Sequence, residues 1–109
     1  MTRKEVYNMI ASIGVPAAYH HFSKATAKEP PFICFYYPND NDFRADNSNY
    51  VRVDQLIIEV YTDNKDFALE GTVESVLAQN DVVFSKEETY IDSEQMYMVI
   101  YTTEVIING

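Results

Sequence analysis

The sequence predicts an α+β fold: a mainly antiparallel sheet of four to five strands with two helices packed on one face, in the order α-β-β-β-α-β-β. Three observations carry that expectation. Two segments repeat apolar residues at helical spacing, and most of the remainder forms short runs rich in Tyr, Ile and Val. The 109 residues hold only three Gly and four Pro and show no linker or repeat, so residues 1–109 are read as one domain. A chain of this length buries about two-thirds of its unfolded surface, enough for one core without a metal or disulfide.

The elements follow in order. Thr2 precedes Glu5 by the spacing of a capping box, and Val6, Ile10 and Ile13 form one apolar stripe. Gly14 can take the left-handed conformation that ends a helix and Pro16 blocks its continuation, so a helix is predicted over 3–13. Ala17 to Phe22 reads as a short strand, and Ser23 to Glu29 as a polar loop. Pro30-Pro31 leads into Phe32-Ile33-Cys34-Phe35-Tyr36-Tyr37, an apolar run of strand length bounded by Pro38.

Residues 38–49, PNDNDFRADNSN, are the longest polar stretch, well beyond the usual hairpin loop of about two to five residues. Tyr50 to Thr62 then reads as a long strand with Leu56, Ile58 and Val60 on one face and Ile57, Glu59 and Tyr61 on the other. In the second helix Asp63 is the expected N-cap, Phe67, Leu69, Val73, Val76 and Leu77 the apolar side, and Gln79-Asn80-Asp81 the close. Gly71 falls in its middle, which points to close packing there. The chain ends in a hairpin: strand pieces at 82–84 and 88–91, a turn at Asp92-Ser93-Glu94, and a return strand over 95–107.

Chemistry-bearing patterns are sparse. His20-His21 is the one pair resembling a metal site, but neighbours on a strand point to opposite faces. Cys34, the single cysteine, lies in an apolar run rather than in the electropositive setting of a nucleophile, and its solitude suits a reducing compartment. Asp40, Asp42 and Asp46 have the oxygen density of a calcium loop but lack its glycine and its bidentate Glu. Isolated glycines exclude a phosphate loop. No catalytic residue, cofactor or metal is expected, and the chain is read as not an enzyme.

Charge narrows the partners. The net charge is −9, distributed as +2 over residues 1–36 and −11 over 37–109. Such a chain repels phosphate backbones, so direct nucleic-acid binding is not expected. No apolar run is long enough for a membrane helix, and the N-terminal residues lack the apolar core of a signal peptide. Nine Tyr and six Phe crowd the predicted strands. Two short helices cover one sheet face only, and the last strand is apolar on both: Met96, Met98 and Ile100 on one, Tyr97, Val99, Tyr101 and Val105 on the other. The tyrosine-rich side is the expected subunit contact, with Tyr97 and Tyr101 as its candidates. Phe43 and Arg44 are the candidate anchors of the polar loop, an aromatic and an arginine being the residue types that dominate interfaces.

Beyond these patterns, Phe43, Ala45, Asp46 and Asn47 before Tyr50, the Glu59-Val60-Tyr61-Thr62 strand end, Lys65-Asp66, Glu70 and Tyr90 to Tyr97 carry a resemblance. Over nearly its full length the chain resembles small prophage proteins of Gram-positive bacteria from the head–tail joining and tail-terminator (tail completion) group. That resemblance implies a structural subunit that closes into a homo-oligomeric ring where the tail tube meets the neck. It implies partners among other phage tail and neck proteins, and residence in the host cytoplasm during assembly and then in the virion. It also adds Asp46 to the candidate interface. The isolated subunit is expected to be monomeric at low salt, given its charge. A small ligand-binding or regulatory α+β domain is the alternative, and a pocket with convergent polar groups would be its sign.

Overall fold

The computed structural model describes residues 1–22, 29–38 and 53–107. The first helix, α1 (Arg3–Ala11), starts where its cap predicts. The Glu5 amide donates to Thr2 Oγ1 at 3.1 Å, and the Thr2 amide donates to Glu5 Oε1 at 2.7 Å, which completes the capping box. Val6, Met9 and Ile10 turn inward, and Gly14 leaves the helix at φ +99°, a conformation that favours glycine.

Five strands follow in a single sheet ordered β1-β2-β3-β5-β4: β1 (Ala17–Tyr19), β2 (Phe32–Tyr36), β3 (Val53–Thr62), β4 (Phe84–Ile91) and β5 (Met96–Ile106). The second helix, α2 (Phe67–Gln79), lies between β3 and β4 in the chain. The fold is thus α+β in the predicted order. Only β1 and β2 run parallel; the other neighbours are antiparallel. The long β3–β5 ladder, from Val53↔Ile106 to Thr62↔Tyr97, forms the middle of the sheet.

Both helices pack on the same face. That face presents Ile33 and Phe35 from β2, Leu56, Ile58 and Val60 from β3, and Val99, Tyr101 and Val105 from β5, joined by Val6, Ile10, Val73 and Leu77 from the helices. Polar ties fix the layers. The Arg3 guanidinium donates to Asp54 Oδ2 at 2.8 Å and lies 4.4 Å from the Tyr37 ring centre, joining α1 to the fully buried Asp54 of β3. On the other side, Lys65 and Lys86 clamp α2. Lys65 Nζ lies 2.6 Å from Glu70 Oε2 and also pairs with Glu88, while Lys86 Nζ lies 2.8 Å from both Glu70 Oε1 and Glu74 Oε2.

Several expectations are corrected. Asp66, not Asp63, caps α2, accepting from the Leu69 amide at 2.9 Å. Phe67 is exposed rather than part of the apolar side, since it opens the helix outside the core stripe. Gly71 is exposed, and a Cβ built on it meets nothing within 4 Å, so no close packing requires glycine there. Residues 84–91 form one continuous strand, because unbroken pairing with β5 overrides the polar run Ser85 to Glu88. Strand β1 ends at Tyr19, where His20 turns to φ +69°. The loop at 38–49, with Phe43, Arg44 and Asp46 and the aspartates of the calcium-like pattern, lies outside the described residues apart from Pro38.

Candidate interface

Among the described residues, α1 and α2 cover one face of the sheet and no element covers the other, the open face; β5 shows which is which. Tyr101 is fully buried under α2, its hydroxyl donating to Glu74 Oε2 at 2.8 Å and its ring edge-on to Phe84 at 5.3 Å. Burial first, and then the bond to Glu74, pushes its phenol far above the ordinary tyrosine range. The expectation that Tyr101 lies on an exposed contact face is therefore overturned: the tyrosine-rich side of β5 is the side the helices cover. Tyr97 shares that side near the far end of the sheet, half-buried, with its ring 4.9 Å from that of Tyr90.

The open face comprises the alternate residues of the same strands. Phe32, Cys34 and Tyr36 stand on β2, Ile57, Glu59 and Tyr61 on β3, and Met96, Met98 and Ile100 on β5; their register places them side by side, with Cys34 and Ile57 buried among their neighbours and the other seven half-buried. Phe32 stacks on Tyr61 with ring centres 4.8 Å apart. Glu59 stands among them. Its Oε1 accepts from the Tyr61 hydroxyl at 2.8 Å and its Oε2 from the Tyr36 hydroxyl at 3.3 Å. Both phenols are raised above the usual range, by burial first and then by Glu59, so they remain protonated donors at physiological pH. The result is a charged carboxylate held in place between two aromatic rings on an apolar surface.

Beside it opens a cavity of about 260 Å³ lined by His20, His21, Phe22, Phe32, Cys34, Tyr61 and Glu94. The turn at His20 brings the two imidazoles together, Nδ1 to Nδ1 at 3.1 Å, which strand alternation alone would forbid. No third ligand joins them in a metal-binding group among the described residues. Cys34 is buried on the cavity floor, and that burial, followed by the charge of Glu59, pushes its thiol upward, away from thiolate chemistry. The walls are apolar and aromatic and the rim is polar. This arrangement suits the seating of a side chain rather than a reaction.

Period-two alternation separates Ile57, Glu59 and Tyr61 on β3 and Met96, Met98 and Ile100 on β5 as strand faces but does not mark their side as the free one. A usable signal was present. From Leu56 to Val60 the face with Leu56, Ile58 and Val60 is unbroken by a charge, whereas Glu59 interrupts the other, and pairing Ile58 with Tyr101 carries Tyr101 into the core with it.

No family model matches the chain, and no curated protein is significantly similar to it. Among solved structures, it is similar to a chain from the virion of a native gene transfer agent particle, with a TM-score of 0.57 and 16% identity. The match covers 93% of this chain and 84% of that one, so the likeness is one of whole fold.

Proposed function

We propose that this chain is a non-catalytic structural subunit of a phage-type virion, which assembles into a ring at the head–tail junction, ends the tail tube and docks it to the neck. The observation that carries the reading is the likeness, across almost the entire chain, to the fold of a chain from a virion particle. The open sheet face supports it. An apolar, aromatic surface with a polar rim has the anatomy of a protein–protein contact. In this reading the subunit resides in the host cytoplasm until assembly and in the tail or neck of the virion afterwards.

Charge sets the conditions for assembly. At −9 per chain, subunits repel one another at low salt. At physiological ionic strength that repulsion reaches only about 8 Å, so apolar contacts can prevail. Electron microscopy of the purified protein, alone and mixed with tail tubes of the phage that encodes it, tests the proposal together with light scattering across a salt series. Rings that strengthen with salt, or caps at tube ends, are expected. A monomer at every salt concentration that leaves tubes uncapped would refute it.

A further inference from the structure

The two sides of the sheet differ sharply in charge. The described basic side chains are Arg3, Lys4, Lys65 and Lys86, and all lie on the helix side: two on α1, one before α2, and Lys86 opposite Tyr101 on the covered face. The open face carries Glu59, Glu87 and Glu104 and, among the described residues, no lysine or arginine. Arg3, Lys65 and Lys86 are already paired with Asp54, Glu70, Glu74 and Glu88. None of the described cations reaches Glu59. Its two phenol partners supply hydrogen bonds but no opposite charge, and a carboxylate has about four lone-pair sites, of which they use two.

We infer that the open face is the docking surface for a different protein whose apolar patch presents an arginine or lysine, with Glu59 as the carboxylate that receives it. This deepens the reading above, on which it rests for the partner being another virion protein. The chemistry is complementary at each point. A guanidinium arriving at Glu59 forms charge-assisted hydrogen bonds with an acceptor already oriented by Tyr36 and Tyr61, and lies against their rings. An apolar side chain next to it fills the cavity beside the Phe32–Tyr61 stack, while Glu87 and Glu104 meet further basic groups at the rim. The fixed carboxylate lowers the ordering cost of binding.

Other occupants fit less well. Two copies of this chain meeting face to face about a two-fold axis would bring together the three carboxylates of each. Nucleic acid would set phosphates against the same carboxylates.

The test uses the full chain, labelled with ¹⁵N, and two probes: acetyl-Leu-Arg-Phe-amide and acetyl-Leu-Glu-Phe-amide at millimolar concentration. The arginine peptide should shift the amide signals of β2, the middle of β3 and the Met96–Ile100 part of β5, and the glutamate peptide should not. Glu59→Gln, whose amide oxygen can still accept from one phenol while its NH2 donates to the other, should weaken the arginine peptide about five- to tenfold, and added salt should weaken it further.

Equal shifts with both peptides, shifts confined to the helix layer, or none at all would overturn the inference. So would concentration-dependent shifts of the same signals without peptide that Ile100→Asp abolishes, since a second copy would then be the occupant. Rings without peptide binding would remove this inference and leave the virion reading intact. Peptide binding without rings would do the reverse.

Discussion

Replacing both Lys65 and Lys86 with methionine should destabilise the protein and reverse the direction in which acid affects it. Glu70 is on α2 with its side chain only 6% exposed, and the two lysines at 2.6 and 2.8 Å are its cations. Methionine keeps most of each apolar stem and removes the charge, leaving a buried carboxylate without a counter-ion. Breaking a buried pair in this way costs about 3–5 kcal/mol. Either single replacement should cost about 1 kcal/mol, because the other lysine remains and both lysines are partly solvated.

The pH profile gives the sharper readout. Burial works against the charge of Glu70, yet Lys65 and Lys86 together hold its carboxyl below the ordinary 4.5; Glu74 is also held low, by Lys86 first. A carboxyl whose folded value lies below its unfolded one adds stability above the unfolded value and loses it as pH falls through the folded one. The parent should therefore lose stability below about pH 4.5. In the double variant burial acts on Glu70 unopposed and raises its folded value, so stability should increase as pH falls from neutral toward 4.5. Urea denaturation followed by far-UV circular dichroism, across a pH series, measures both quantities. A double variant within about 0.5 kcal/mol of the parent at neutral pH, or one whose pH slope keeps the parent's sign, would refute the account of the clamp.

Ile10→Ala should cost about 2–5 kcal/mol in the same assay, since Ile10 is fully buried in the core; a loss under about 0.5 kcal/mol would contradict its place there. Gly71→Ala should stabilise by about 0.5–1 kcal/mol, because an added methyl meets nothing within 4 Å and alanine favours a helix interior; destabilisation would mean that packing near Gly71 is tighter than the structure shows. Tyr101→Phe should cost about 1 kcal/mol through the lost hydrogen bond to Glu74 and leave assembly unchanged, whereas loss of assembly in a folded variant would return Tyr101 to the interface. Cys34 should react with a disulfide reagent far more slowly in the native protein than in urea, its thiol being buried and its ionisation disfavoured; equal rates would place it on the surface.

The candidate interface was only partly legible in the chain. Alternation on β5 separated Met96, Met98 and Ile100 from Val99, Tyr101 and Val105, and the structure keeps those two sets. Choosing the tyrosine set as the free one failed because tyrosine is amphipathic. Its ring fills a core well when the hydroxyl finds a partner, and Glu74 of α2 supplies that partner. The same limit applied at His20-His21: strand geometry kept the rings apart on paper, and a single positive φ at His20 brought them to 3.1 Å.

What the sequence by itself determined are features set by near neighbours. The capping box of Thr2 and Glu5, the left-handed exit at Gly14, the inward set Val6, Ile10 and Ile13, and the strand content of 32–36 and 53–62 depend on spacing within a few residues. Element order and fold class follow from them. The tertiary structure alone decided which side of the sheet the helices cover, where Lys65 and Lys86 find their carboxylates, and that Glu59 stands between two phenols. Each of these depends on at least one contact between residues far apart in the chain, as in Lys65 with Glu88 or Tyr36 with Glu59. Period-two alternation states that a strand has two faces, but it carries no sign. The sign comes from the register of β3 against β5 and from the one face on which α1 and α2 can both bury their stripes.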